Sequence, residues 1–230
     1  MSEQTVTSTD LEPVSPDRKG EDREAAAVVR AAVDAVSRTG RFSASAVASA
    51  VEGAARALAR RVIASALRDP NRVAAEDVLA DELAAPVQPP AAVSKATVAL
   101  LAARFARRFG PLRAVFARTP TWMLAAAIPA LYASVVHGAG ELRLVASHLV
   151  LRARAAGFEP DPDRVRRIAV QVLRGDPIDP IAEPRHGPLA VRWLRRAGWA
   201  ALPFTKGVST RDPDGMAAVA ASVPPSLLRA

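Results

Sequence analysis

Three side chains between residues 131 and 151 are placed where they could act together: His137, Glu141 and His148. On one continuous helix they fall at about 0°, 40° and 20° around the axis, at ~100° per residue, and Arg152 extends the same face. An imidazole beside a carboxylate is half of a metal site, or an acid–base pair able to pass a proton. The axial spacing restricts both uses. At ~1.5 Å per residue His137 and His148 stand about 16 Å apart and cannot share one ion. No second cluster supplies the missing ligands. The chain has no Cys, which excludes disulfides, thiolate chemistry and Cys-type zinc sites. The four residues therefore read as a polar stripe relieving an otherwise apolar helix, and no cofactor is expected.

Other catalytic motifs fail on spacing. Gly138-Ala-Gly140 lacks the third glycine and the preceding strand of a dinucleotide fold. Lys206-Gly207 has no glycine-rich loop before it, and neither Gly-x-Ser-x-Gly nor His-Glu-x-x-His occurs. The sequence offers no catalytic residue, and a non-enzymatic role is the expectation.

Charge is more informative. The chain carries +8, but residues 1–24 hold seven acids and three bases, which leaves +12 for the remainder. A basic body points to anionic partners. Two Arg groups could present that charge: Arg104, Arg107 and Arg108 on one helix, and Arg192, Arg195 and Arg196 on another. In the second group, cationic face, Trp193 and apolar face together suit a helix lying in a membrane interface. Trp122, Trp193 and Trp199 are candidate anchors, because an indole is apolar yet keeps one N–H donor. The same arginines could neutralise phosphates of a nucleic acid, although neither helix-turn-helix spacing nor a stacking platform is evident.

The elements that must position these residues are helices. Half the residues are apolar and only 4% aromatic, so the core is built from Ala, Val, Leu and Ile. Gly and Pro cut the chain into helical lengths, and no segment alternates as a strand does. Helices are expected over residues 24–38, 43–68, 94–109, 161–173 and 188–202, with short ones from Pro70 to about Ala84 and near residues 215–222. Residues 1–23 read as a disordered acidic tail able to shield the basic faces, and Pro86, Pro89 and Pro90 mark a hinge over 86–93. The uncharged run 119–140 is long enough to span a bilayer. Pro129, His137 and six alanines weaken it as a span. It reads instead as a kinked central helix continuing through Glu141 to about Ala156. The fold expected is an all-α, irregular multi-helix domain over residues 24–230.

The apolar helix from Trp122 leads into Glu141-Leu-Arg-Leu-Val-Ala-Ser-His-Leu-Val-Leu. Ala156-Gly-Phe-Glu-Pro-Asp-Pro and Arg164-Val-Arg-Arg-Ile-Ala-Val-Gln-Val-Leu-Arg-Gly follow. Over about residues 98–205 this pattern resembles the EcsC family of helical proteins. Gly157-Phe158 stands where that family usually has Tyr-Gly. The resemblance implies an all-α fold and association with membrane transport or secretion machinery, and it carries over no catalytic residue. Together these readings lead to a cytoplasmic protein held peripherally at an anionic membrane surface or membrane complex. The alternatives are a soluble helical scaffold and a weak nucleic-acid binder.

Overall fold

Capping chemistry sets where the helices start and stop. In the computed structural model, which describes residues 16–39, 43–71, 121–200 and 213–230, Ser43 accepts from the Ala46 N–H and opens α2, Ala44–Arg68. Asp161 accepts from the Asp163 N–H, with Pro162 behind it, and opens α4, Pro162–Arg174. Gly175, at φ 72°, closes α4 in the left-handed conformation that a side chain resists. The other helices are α1 (Pro16–Thr39), α3 (Thr121–Ala155), α5 (Gly187–Ala200) and α6 (Pro213–Ser222), with a 3-10 turn at Pro225–Leu228. No strand occurs among the described residues, so the chain is all-α there.

α3 is the axis of the domain. Its 35 residues run for ~52 Å at ~1.5 Å per residue, through Pro129 and on past Glu141 without interruption. α1, α2, α4, α5, α6 and the 3-10 turn all pack on it. Val135, Leu142, Val145, Ala146, Leu149 and Val150 are fully or almost fully buried along its length. Among the described residues no helix is long and apolar enough to cross a membrane. Fewer aromatic side chains mean thinner spacers, and the helices approach closely. A methyl group on Gly138 would overlap the Trp193 indole, and one on Gly187 would overlap the backbone carbonyl of Ala48.

α1 starts earlier than the sequence suggests, so the tail boundary at residue 23 is corrected. Residues 16–23 form the first two turns of α1. Pro16 suits a first helical position, and acids there favour the positive end of the helix dipole. Those acids are used in the fold. Glu21 is buried and paired with Arg143 of α3, and Asp22 accepts from the Tyr132 hydroxyl at 3.3 Å. Glu24 accepts from Arg61 of α2 at 3.1 Å, which sets α1 antiparallel to α2. The helix expected over 94–109, with Arg104, Arg107 and Arg108, the short helix after Pro70 beyond residue 71, and the hinge at 86–93 lie outside the described residues.

Two glycine substitutions separate close packing from mere flexibility. Gly187→Ala should lower stability by about 1–3 kcal/mol, because a backbone carbonyl cannot rotate away from the added carbon. Gly53, on the exposed side of α2, has nothing within 4 Å of that position. Gly53→Ala should therefore stabilise, by up to about 1 kcal/mol from helix propensity alone. Urea denaturation of both variants, compared with the parent chain, reads the opposite signs directly.

Candidate functional site

The α5 residues chosen from sequence do not form one solvent face. Trp193 is 3% exposed and lies against Gly138 of α3. Arg196 donates to Glu141 of α3 at 2.7 Å, and that carboxylate is itself buried. Arg192 reaches the Leu173 carbonyl at the end of α4, where a cation complements the helix dipole. Burial, and then the neighbouring charge of Arg196, push the Arg192 guanidinium below its ordinary pKa. Only Arg195 of the three is exposed. The expected interfacial helix is thus corrected to an internal one: Arg196 faces Glu141 of α3 and Arg192 faces the end of α4, and only Arg195 is left outside. Trp122 and Trp199 lie on helix residues whose side chains are outside the described set.

The polar stripe lies on the unbroken α3. Glu141 is committed to Arg196, whereas His137, His148 and Arg152 are half-buried at increasing distance along the helix. Among the described residues no group of three or more His, Asp or Glu is arranged to hold a metal ion.

A different polar junction, centred on His186, joins α2, α4 and α5. His186 has no exposed surface. Its Nδ1 is 3.2 Å from Glu52 Oε1 and its Nε2 is 3.1 Å from Arg166 Nη1. A guanidinium can only donate, so Nε2 accepts and Nδ1 carries the proton toward Glu52. Burial, reinforced by the charges of Arg166 and Arg56, holds the imidazole below its ordinary pKa against the opposing pull of Glu52. Glu52 accepts from the backbone N–H groups of His186 and Gly187 as well, so a side chain of α2 occupies the N-terminus of α5. Burial raises the Glu52 pKa, but these donors outweigh it and leave the carboxyl below its ordinary value.

Arg166 is the hub. Its side chain is 4% exposed and donates at 2.8 and 2.9 Å to the two oxygens of Glu183, and at 3.3 Å to Asp163. The Arg166 hydrogen bonds, together with its charge and the help of Arg167 and Arg56, lower Glu183 to about 2. The connector that delivers Glu183 is fixed by Gln171, whose amide bonds both the N–H and the carbonyl of Asp179. Asp179 in turn accepts from the Ile181 and Ala182 N–H groups. No sequence motif marks His186, Arg166, Glu183 and Glu52 as a group; helical i,i+4 spacing alone pairs Glu52 with Arg56, and that pair forms at 3.4 Å. The one local signal was Gly187-Pro188, a helix opening that puts His186 at its mouth.

Comparison with known proteins identifies nothing. No family model matches the chain, and no curated protein or solved structure matches it. Its functional surface has to be read from its own charges.

Those charges are sorted across the α1–α2 hairpin. Among the described side chains, every exposed charged residue within these two helices is basic: Lys19, Arg23, Arg30 and Arg38 on α1, and Arg60, Arg61 and Arg68 on α2. The acids turn inward or sideways. Glu21 meets Arg143, Asp22 meets Tyr132, Glu24 meets Arg61, Glu52 meets His186, and Asp34 is half-buried. At ~100° per residue the four α1 cations share a sector about 100° wide. Arg60 and Arg68 share one about 80° wide on α2.

Proposed function

We propose that the protein is a non-enzymatic helical module that associates peripherally with an anionic membrane surface through the outer face of the α1–α2 hairpin. The sorting of charge carries this reading: among the described side chains the hairpin buries or half-buries its carboxylates and leaves most of its cations exposed. Each basic side chain near an anionic bilayer contributes about 1 kcal/mol, so several acting together give useful binding without a hydrophobic anchor. The basic residues Arg104, Arg107 and Arg108 add to the same balance, and the EcsC resemblance, with its membrane transport or secretion machinery, points the same way. Arg195 is the one α5 cation still available to such a surface.

Vesicle flotation tests it. The chain should float with phosphatidylcholine vesicles only when they contain phosphatidylserine, and should be released as salt rises from about 0.1 M to about 0.5 M. Recovery in the soluble fraction with both vesicle types contradicts the reading.

One observation favours a second reading, a protein-interaction module. Ile181 is 81% exposed on the connector that Gln171 and Asp179 immobilise. A rigidly held apolar side chain is suited to filling a partner's pocket. Loss of a cross-linked complex in Ile181→Ser, with vesicle binding unchanged, would favour that reading.

A further inference from the structure

We propose that His186 is a proton-sensitive latch, which fastens the start of α5 to α2 and α4 while its ring is neutral and releases when the ring is protonated. The inference rests on the interior junction and is independent of what the hairpin binds.

The geometry leaves the ring no room for a second proton. Nδ1–H is spent on Glu52 and the Nε2 lone pair is spent on Arg166. An imidazolium would aim Nε2–H at a guanidinium that has no lone pair to offer, replacing a hydrogen bond with a donor–donor contact between two cations. Arg166 has little freedom to withdraw, because Glu183 grips it through both carboxylate oxygens and Asp163 holds its Nε. The ring is also fully buried, so water cannot take up the new proton.

Charges face the ring from each neighbouring element. From α2 come Glu52, which favours the cation, and Arg56, which opposes it. From α4 comes Arg166, with Asp163 behind it and Arg167 on Glu183. The connector supplies Glu183, already neutralised by Arg166, and Arg185, which is exposed. On α3, Glu141 is engaged with Arg196, ten residues further along α5, and Arg143 with Glu21. Among the described residues the carboxylate that favours the cation is Glu52, and it is shared with the His186 and Gly187 N–H groups and with Arg56. Two guanidinium groups oppose it.

The linkage has a definite sign. A His whose folded pKa lies below the ordinary 6.5 binds its proton more readily in the opened state. The latch is therefore whole above about pH 6.5 and weakens as pH falls below that value, until the folded ring is itself protonated. The carboxylates act lower. Glu52 and Glu183 are both held below their ordinary 4.5, Glu183 to about 2, so their loss belongs to a separate, more acidic window. One linked proton changes the closed-to-open ratio by up to about tenfold per pH unit.

Two measurements on the full chain test the latch. In a side-chain NMR titration the His186 ring should be the Nδ1–H tautomer and should titrate below 6.5. Amide-exchange protection of Gly187 and Leu189 should fall as pH drops from about 7.5 to about 5.5, by up to about tenfold per unit once below the ordinary His pKa. His186→Gln, whose amide oxygen can still accept from Arg166 but cannot titrate, should show no such fall. A ring that titrates at or above 6.5, protection that does not change over this range, or a His186→Gln chain with the parent's pH dependence would each overturn the proposal. If His186→Gln does not fold, the titration and exchange of the parent chain decide.

Discussion

Arg166→Met should lower the stability of the domain by about 3 kcal/mol, read by urea denaturation at neutral pH. Removing one member of a buried charged pair costs about 3–5 kcal/mol when the partner stays buried. Here the lower end applies, since Glu183 is 43% exposed and water can take over part of its solvation. The His186 ring has no such relief, because it is fully buried and its Nε2 would be left without a donor. Arg166→Lys should recover only part of the loss. An ammonium can meet one or two of Glu183, Asp163 and His186, whereas the planar guanidinium serves all three at once.

Trp193→Ala should be at least as damaging, at about 3–5 kcal/mol. Trp193 packs where Gly138 has removed its own side chain, so the indole fills a recess made for it between α3 and α5. A shift of α5 to close the space would disturb Arg196 on Glu141 and Arg192 on the end of α4. Thermal unfolding of Trp193→Ala distinguishes this from an interfacial anchor. An anchor lost from the surface would leave the melting temperature unchanged and weaken vesicle binding. A core residue does the reverse.

The helical skeleton was legible because its punctuation is local. Ser43, Asp161-Pro162 and Gly175 each act within a turn of themselves, and α2 begins, and α4 begins and ends, where those residues say. The continuity of α3 past Glu141 was legible for the same reason: nothing between residues 130 and 155 breaks a helix outright. Long-range pairing was not legible. Helical spacing tells that Arg192 and Arg196 lie on one side of α5, but not that Glu141, 55 residues away, waits on that side. An Arg–Trp helix reads alike whether its cations face phosphate or a buried carboxylate. Likewise, His186 and Glu52 are 134 residues apart in sequence. The early acids read as a tail because composition alone cannot show that Glu21 has a buried partner on α3. In each case the missing information was a partner, and partners come from tertiary structure.

On the proposed reading the hairpin, and not α5, presents the protein's charge to an anionic surface. Flotation of charge-reversal variants on phosphatidylserine-containing vesicles tests it most directly. Arg23→Glu, Arg30→Glu and Arg60→Glu combined should weaken binding on the order of 100-fold or more, at about 1 kcal/mol per cation removed and further repulsion from each added acid. Arg195→Glu alone should weaken it far less, by about thirtyfold at most, since one charge is reversed rather than three. Undiminished flotation of the hairpin variant, with its fold intact by circular dichroism, would contradict the account.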